Sequence, residues 1–459
     1  MEDLVTRVRS LLTFTLAIIY LSNLLIKSNG IHQLILIMMV LVIVLSLIAV
    51  TNSSKVIGYT LFVVSILLFL YYKAPLSIWQ EGIEINLYMV VMFTLVPLLR
   101  IPIQHGGYSK ALQDVFRRFV HTKRRFYLLV SFIASFVGVL VNMAVVPLVH
   151  ELCRASDFSA DKRLLCSAIS RGFATCTIWS PTMASIALII QLTGAKWHLF
   201  FPFGILSGVI LGLIGFIMML FEEKKMGKEL REEVPEQVIG TINYRKVIEL
   251  SIFGTILISS IAVISLITGI HTITLVSVAA VAYPVLWLAI IGRLPVLFRE
   301  FKGEYYQKSL PSLKNEVTLF VGAGLFATSI AYSHLGDYVP RIFSLLVGNN
   351  VILFSIVVVL VCIILSALGV HPIVTVTVIS GTIKASAYGV SPTYMAMILA
   401  IAWTMGISIS PSAANIIAIS GLTGQSPVEV GLRWNGGFAL VSSIVLIIVI
   451  TIFRWFQVI

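Results

Sequence analysis

The sequence predicts an all-α polytopic membrane protein with about 11 transmembrane helices and two re-entrant hairpins in an inverted-topology repeat. The 459 residues are 58% hydrophobic and only 11% charged, which is more apolar surface than a soluble core of this length can bury. Apolar runs of about 20 residues recur along the chain, and a backbone in lipid satisfies its own hydrogen bonds best as helix. Two segments of the chain are also distorted copies of one another.

The internal repeat is clearest around two Ser-Pro pairs. Each serine is followed by a Thr-Gly pair, and each copy is preceded by a short His-to-Tyr segment. The corresponding residues are Ser180-Pro181, Thr193-Gly194 and His105 to Tyr108 in the first copy, and Ser410-Pro411, Thr423-Gly424 and His334 to Tyr338 in the second. An internal repeat in an apolar chain is typical of membrane transporters.

The apolar runs divide the chain into four parts: an N-terminal helix (1–32), a first repeat (33–221), a charged cytoplasmic linker (222–246) and a second repeat (247–459). The first run lacks a small-residue cleavage site, so we expect it to be retained as a helix. The predicted spans are 10–27, 33–51, 55–72, 86–101, 163–193, 198–221, 247–269, 272–296, 316–333, 391–423 and 437–456.

Two apolar stretches, 126–152 and 350–383, are interrupted near their middle by small or polar residues. Each half is too short to cross ~30 Å of hydrocarbon as a helix. We therefore expect re-entrant hairpins, each preceded by an interfacial stretch (103–122 and 334–348). A hairpin does not cross the membrane, so each repeat crosses an odd number of times and the second copy is inverted.

The net charge of +12 has a topological explanation. Most of the 32 basic residues fall in loops that this topology places on one side, as the positive-inside rule requires. We therefore expect a multi-pass protein of the cell membrane with its N-terminus in the cytoplasm and its C-terminus outside. The basic residues do not form a single soluble face, so no nucleic-acid partner is expected.

No pattern typical of an enzyme is present in the sequence. It has no Ser/His/Asp grouping in a soluble domain, no phosphate-binding loop and no Cys or His spacing typical of a metal site. The four cysteines lie in or beside apolar segments, where packing is the expected role. We therefore expect neither catalysis nor a cofactor.

The two Ser-Pro pairs are the first candidate functional elements. Pro181 and Pro411 lack an N–H and clash with the preceding turn, so each is expected to break its helix within the membrane. The freed carbonyls can coordinate a cation, and the N–H groups of the next half-helix can hold an anion. A simple proline kink is the alternative, but two breaks at equivalent positions favour function. Small polar residues surround the breaks: Thr177, Ser180, Thr182, Ser185, Ser408, Ser410, Ser412 and Asn415.

The hairpin tips are the second candidate element. Asn142 and His371 occupy corresponding positions there, and a polar side chain in an apolar tip needs a partner or a ligand. Asn142 either contacts the ligand or bonds the opposite hairpin arm. His371 is a packing residue, a substrate donor or a proton carrier.

Two further features lie within the predicted spans. Arg171 is the one clear charge well inside a span, and it either snorkels to the interface or attracts an anion. Gly204, Gly208 and Gly212 recur at a spacing of four, which predicts the close approach of another helix.

With two hairpins, two broken helices and an inverted repeat, the chain resembles the ion transporter superfamily, and most of all the divalent-anion/sodium symporter family. Asn142 matches the asparagine of that family's Ser-Asn-Thr first tip, and His371 matches the second tip in position. Its Thr-Pro-Pro-Asn-like broken-helix elements are similar to Ser180-Pro181-Thr182 and Ser410-Pro411-Ser412, with Asn415 just beyond.

The resemblance implies a homodimer in which hairpins and broken helices move across a scaffold as an elevator. Substrate would lie between the hairpin tips, and a coupling cation would lie between each tip and its broken helix. Substrate contact is implied for Asn142, Thr182, His371, Ser412 and Asn415. Cation contact is implied for Asn142, Ser180, Thr182, Ser366, Ser408 and Ser410.

We therefore expect a secondary active transporter of a small anion, an organic carboxylate or an inorganic oxyanion, coupled to sodium or protons. A sodium/proton antiporter normally needs a membrane-embedded carboxylate, and the sequence has none near the breaks. One alternative is an exporter or carrier of an apolar or lipid-linked anion, which the tip neighbours Met143 and Pro372 would suit. Another is a non-transporting sensor or subunit of a larger assembly.

Overall fold

A computed structural model describes residues 2–154, 156–225, 243–348 and 350–459, and within these ranges the chain forms helices and no strand. Most of the predicted linker 222–246 lies outside the described residues. The first half contains α1 Glu2–Ile26, α2 Asn29–Ala49, α3 Asn52–Tyr71, α4 Leu76–Glu84, α5 Leu87–Leu95, α6 Arg100–His105, α7 Tyr108–Phe119, α8 Lys123–Val141, α9 Val145–Cys153, α10 Lys162–Thr177, α11 Ala184–Thr193 and α12 Trp197–Lys225. The second half contains α13 Tyr244–Thr268, α14 Thr272–Ile290, α15 Leu294–Glu300, α16 Leu310–Ser312, α17 Lys314–Tyr332, α18 Tyr338–Val347, α19 Val351–Ala367, α20 Pro372–Thr382, α21 Pro392–Ile409, α22 Ala414–Thr423 and α23 Trp434–Trp455.

Many of these helices have the length and composition of membrane spans. In the described ranges, 10 are long and apolar enough to cross a membrane, or up to 11 if one bent pair is counted as a single span. The predicted fold class, an all-helical polytopic membrane protein, is confirmed. The predicted span 86–101 begins earlier, at Leu76, because α4 leads almost directly into α5.

The sequence repeat is reproduced in the helix boundaries. At an offset of 230 residues, α11 and α22 begin and end at corresponding positions, and α7 and α18 both begin at the tyrosine of the repeated segment. Each of α11 and α22 ends at a left-handed glycine, Gly194 with φ 67° and Gly424 with φ 73°. A side chain would strain this conformation, so the Thr-Gly pairs of the repeat are helix-ending signals.

The described chain divides into two compact units. The first comprises Met1–Pro102, Ile261–Asn350 and Ile373–Tyr388, and the second comprises Ile103–Ser260, Val351–Pro372 and Gly389–Ile459. Both broken helices, the whole of the first hairpin and the first arm and tip of the second lie in the second unit. All candidate site residues therefore belong to one compact unit.

In the first unit, helices pack closely around α17. Gly82 of α4 lies so near Leu325 that a Cβ at this position would come within 2.9 Å of its side chain. The Asn86 amide donates a hydrogen bond to the Phe320 carbonyl. Near the start of α1, the buried Arg9 guanidinium donates to the Pro311 carbonyl at 2.6 Å. These contacts fix α1, α4 and the Asn86 segment against the region around α17.

In the second unit, the predicted hairpin 126–152 is formed by α8 and α9. Its two ends lie together, because Lys123 Nζ is 3.6 Å from Asp161 Oδ2 and the Phe126 and Phe158 rings are 6.0 Å apart. The chain reverses at Asn142, which has φ 53° and ψ −134° and opens a single 3-10 turn. Although Lys123–Cys153 has the length and hydropathy of a span, it folds back on itself.

The predicted glycine stripe on α12 packs against the first broken helix. A Cβ on Gly204 would lie 2.7 Å from the Trp179 Cβ, and one on Gly208 would lie 2.6 Å from the Thr175 carbonyl oxygen. A Cβ on Gly212 would meet only Thr175 Cγ2, at 3.9 Å. The close approach is therefore confirmed at two of the three glycines, where the absent side chains let the helices touch.

Gly208→Ala is expected to lower the thermal unfolding midpoint of the purified protein, because the added methyl group would meet a backbone carbonyl that cannot rotate away. Overpacking of this kind costs about 1–3 kcal/mol. Gly212→Ala is the matched control on the same stripe and should leave the midpoint unchanged. Equal unfolding midpoints for the two variants would show that α12 does not contact the Thr175 carbonyl closely at Gly208.

Candidate functional site

The first broken helix consists of α10 and α11, separated by residues 178–183. The Ser180 N–H donates to the Cys176 carbonyl at 3.0 Å, and after Pro181 the Met183 N–H donates to the Ser180 carbonyl at 3.1 Å. The helix restarts at Ala184. Proline interrupts the helical hydrogen-bond series where the sequence predicts.

The second broken helix, α21 and α22, repeats this geometry. The Ser410 N–H donates to the Gly406 carbonyl at 3.0 Å, and the Ala413 N–H donates to the Ser410 carbonyl at 3.1 Å. The helix restarts at Ala414, after Pro411. The two Ser-Pro pairs therefore produce the same break at positions 230 residues apart.

Each break is joined to a hairpin tip by two side-chain hydroxyls. In the first hydroxyl relay, Ser180 Oγ lies 2.8 Å from Thr182 Oγ1, which donates to the Val139 carbonyl at 2.7 Å. In the second hydroxyl relay, Ser410 Oγ lies 3.0 Å from Ser412 Oγ, which donates to the Gly369 carbonyl at 2.9 Å. All three members of the relays correspond at the same offset of 230 residues. The structure thus contains two copies of one half-site.

The direction of each relay determines which atoms are left to bind a ligand. A hydroxyl carries one proton, so the proton that Thr182 donates to Val139 leaves Ser180 to donate to Thr182. The oxygens of Ser180 and Ser410 keep acceptor lone pairs, and both residues are fully buried. Buried neutral oxygens beside a broken helix are the kind of ligand that a hard cation takes.

The first hairpin tip presents the Asn142 amide. Asn142 is half-buried, and within the described residues its side-chain amide forms no hydrogen bond. The sequence left two roles for Asn142, contact with a ligand and a hydrogen bond to the opposite hairpin arm. The hydrogen bond is not observed in the described ranges. Its positive φ is a conformation that favours glycine, so an asparagine here adopts a strained turn that places an amide at the tip.

The second tip presents His371 beside an aromatic side chain that the sequence analysis did not single out. The His371 ring packs edge-to-face on Trp403 of α21, with ring centroids 5.6 Å apart. His371 is half-buried, whereas Trp403 is buried. Trp403 lies two helical turns before Ser410, and only this spacing could have indicated it.

The other predicted site residues, Ser366, Ser408 and Asn415, differ in their surroundings. Ser366 is fully buried at the end of α19, and a Cβ on Gly406 would lie 2.7 Å from its Oγ, so α19 and α21 touch there. Ser408 donates to the Thr404 carbonyl of its own helix at 2.7 Å and does not join the relay. Asn415 is buried in the first turn of α22, and within the described residues its amide forms no hydrogen bond.

Arg171 belongs to a structural network, which differs from both roles expected from the sequence, snorkelling to the interface and attracting an anion. Its side chain is 2% exposed and donates to Asn435 Oδ1 at 3.2 Å, to the Trp434 carbonyl at 2.9 Å and to Glu222 Oε1 at 3.1 Å. The Asn435 amide in turn donates to Ser170 Oγ at 2.9 Å. The guanidinium therefore joins α10, α12 and α23 and is committed to protein groups.

These features define a polytopic membrane protein with two repeated half-sites of broken helix and hairpin tip. The YdaH transporter of Alcanivorax borkumensis, a crystal structure described as having an unusual topology, superposes with a TM-score of 0.55 at 14% identity, covering 87% of this chain and 90% of that one. MtrF of Neisseria gonorrhoeae, described as illuminating a class of antimetabolite efflux pumps, gives a TM-score of 0.46 at 13% identity, covering 77% and 80%.

The comparison with YdaH shows that the chain shares the overall fold of that protein. No family model matches the sequence, and no curated protein does. The fold is therefore established by structure, while the substrate has to be inferred from the site.

Proposed function

We propose that the protein is a secondary active transporter of a small anion, an organic carboxylate or an inorganic oxyanion, coupled to sodium or protons. The observation that carries this proposal is the pair of hydroxyl relays, which tie each broken helix to a hairpin tip in the same way. A duplicated half-site built on irregular backbone is the usual plan of a transporter site.

The coupling cation is assigned to the relays. Ser180 and Ser410 supply buried oxygens, and the segments around the two breaks contain no Asp or Glu. Neutral oxygens suit sodium, whereas proton coupling would need a titratable group, for which His371 is the candidate. The two kinds of coupling therefore make different predictions for His371. Proton coupling requires its imidazole group, and sodium coupling does not.

We assign the anionic substrate to the hydrogen-bond donors of the two half-sites. The first turns of α11 and α22 carry N–H groups without helical partners, and amide or imidazole groups stand at the tips as Asn142 and His371. No carboxylate in the nearby sequence opposes an anion. Asn415, in the first turn of α22, adds an amide donor on the same half-helix.

An elevator movement and a homodimer are part of the proposal. Both broken helices, both tips and the first hairpin fall in one compact unit, which suits their movement as a body. The remaining spans would serve as scaffold and dimer contact. We also infer a cell-membrane location with the N-terminus in the cytoplasm, since basic loops favour that side.

One alternative is supported by a specific contact. The Trp403 ring beside His371, with Met143 next to Asn142, gives the tips an apolar character. This favours an organic anion with an apolar body over an inorganic ion as the ligand. The protein would then be an exporter or carrier of such an organic anion. A non-transporting sensor or subunit would bind the same anion without flux.

The proposal is tested with purified protein and then with proteoliposomes. Anions that raise the melting temperature identify ligands, and uptake of those ligands is followed under sodium or pH gradients. Asn142→Gly is expected to weaken ligand binding by more than about tenfold, since it removes the amide and keeps the positive φ. His371→Ala should weaken binding similarly.

Matched variants make this result specific. His371→Gln keeps a donor and should keep sodium-coupled binding, but it should abolish coupling to protons. Normal affinity in both Asn142→Gly and His371→Ala would refute the tip assignment. Ligand binding without uptake under any gradient would favour the sensor.

The inverted arrangement predicts that the two interfacial helices lie on opposite sides of the membrane. Lys110→Cys on α7 and Tyr338→Cys on α18 place thiols at exposed positions, while the four native cysteines are buried. A membrane-impermeant maleimide applied outside is expected to label position 338 and not 110. Labelling of both from one side would contradict the inversion.

A further inference from the structure

The corner between α7 and α8 is a cationic surface that the proposed transport site does not use. Arg117 and Arg118 end α7, and Arg125 lies in the first turn of α8. All three are exposed, and within the described residues none of them forms an ion pair. The two neighbouring cations differ, because Lys123 pairs with Asp161 at 3.6 Å and Arg124 with Glu223 at 2.9 Å.

The inner face of this corner is fixed within the protein. The buried side chains of α7 are Tyr108, Ala111, Leu112 and Phe116. The Phe116 ring lies 5.6 Å from the Phe126 ring of α8, and the Tyr108 hydroxyl donates to Glu249 Oε1 at 2.5 Å. The helix therefore uses its apolar face for packing and turns its guanidinium groups outward.

An exposed apolar stripe continues from the arginines along α8. Phe119 is 45% exposed at the corner, Leu128 is 47% exposed, and Phe132 is 64% exposed one turn further on. Arg125 and Phe132 are seven residues apart, or ~10 Å along the helix. Charge at one end and apolar side chains along one face match a molecule with an anionic head and a hydrocarbon tail.

We propose that this surface, Arg117, Arg118, Phe119, Arg125, Leu128 and Phe132, binds an anionic phospholipid. The guanidinium groups hold the phosphate headgroup, and an acyl chain lies along Leu128 and Phe132. A soluble anion would leave the stripe uncovered, and a zwitterionic lipid would leave the positive charge unbalanced. The proposal goes beyond transport and stands whether or not the protein carries a substrate.

The bound lipid would act on the first hairpin. Because α8 is the arm that ends at Asn142, a headgroup held at Arg125 restrains the helix whose other end forms the tip. Basic residues next to a membrane-embedded helix gain about a kcal/mol each near an anionic surface, or about five-fold in affinity. Three such residues give a preference on the order of 100-fold.

The test uses the full purified chain in detergent, titrated with dioleoyl phosphatidylglycerol or dioleoyl phosphatidylcholine, with melting temperature and native mass spectrometry as readouts. Phosphatidylglycerol should bind and stabilise the wild type far more than phosphatidylcholine. The Arg117→Gln/Arg118→Gln/Arg125→Gln variant should lose this preference by on the order of 100-fold. The deacylated headgroup, which lacks the acyl chains, should bind much more weakly than the intact lipid.

A matched variant removes the same number of charges elsewhere. Arg299→Gln/Lys302→Gln/Lys308→Gln neutralises three exposed cations in a segment that also contains Glu300 and Glu304, and it should keep the lipid preference. Equal binding of the two lipids, or unchanged phosphatidylglycerol binding in the first variant, would overturn the proposal. If that variant does not fold, wild-type binding of phosphatidylglycerol must still weaken as salt is raised, and salt-independent binding overturns it equally.

Discussion

Arg171→Met is expected to destabilise the protein by about 3–5 kcal/mol, the usual cost of removing one partner from a buried charged network. The substitution keeps the apolar stem but removes the donor to Asn435 Oδ1 and to the Trp434 carbonyl, and it leaves Glu222 with Arg163 as its remaining cationic partner. Arg171→Lys should recover only part of the lost stability. A guanidinium presents several donors in a fixed fork that reaches acceptors on two helices, whereas a single ammonium group does not. Thermal and denaturant unfolding in detergent measure the effect.

Arg163→Met is the matched control. Arg163 pairs with the same Glu222 carboxylate at 3.3 Å, but its side chain is 41% exposed, so the loss should stay below about 1 kcal/mol. Similar stability of the two variants would show that the buried network does not hold α10 to α23. A stable Arg171→Met variant that loses only anion binding would instead assign this arginine to the proposed anion site.

Thr182→Val is expected to weaken ligand binding on the order of tenfold or more, because it removes the hydroxyl that connects the first break to the first hairpin tip. A buried hydrogen bond of this kind is worth about 1–3 kcal/mol when one partner is removed, or about 5- to 150-fold in an equilibrium constant. Ser412→Ala should act in the same way on the second tip. Ligand-induced shifts in melting temperature, with sodium varied, measure both.

The repeat itself supplies the controls for this prediction. Thr182→Ser and Ser412→Thr exchange the residues of the two copies and keep each hydroxyl, so both should retain binding. Ser180→Ala should weaken the dependence on the cation more than the affinity for the anion, since its oxygen is the one left to coordinate. Wild-type binding in Thr182→Val would refute the relay as a functional link.

Much of the fold could be predicted because the solvent is lipid. Long apolar runs have to be helical in a membrane, and a proline within such a run breaks it, so the breaks at Pro181 and Pro411 followed from local chemistry. The reversal at residues 126–152 was predicted from the small and polar residues in its middle. The expectation that each half is too short to span was wrong for the first arm, because α8 has 19 residues and is ~28 Å long. The repeat supported the prediction of the breaks, since the Ser-Pro and Thr-Gly pairs occur at corresponding positions in both copies.

Contacts between distant parts of the chain could not be predicted in the same way. The carbonyls of Val139 and Gly369 have no side-chain signature, so their role as acceptors for Thr182 and Ser412 appears only in the folded chain. Trp403 lies in a long apolar run, and only the folded chain places it against the His371 ring. Backbone acceptors and aromatic neighbours depend on which helices meet, and periodicity alone does not determine that.

By itself, the sequence determined that this protein is an all-helical membrane protein with a broken helix in each of two repeated segments, because hydropathy, proline position and spacing act locally along the chain. Only the tertiary structure decided that Arg171 serves the packing of α10 against α12 and α23. It also decided that each Ser-Pro break is bonded to a hairpin tip. The physical reason is that a buried charge or hydroxyl takes its role from its partners, and those partners lie 43 to 264 residues away in the sequence.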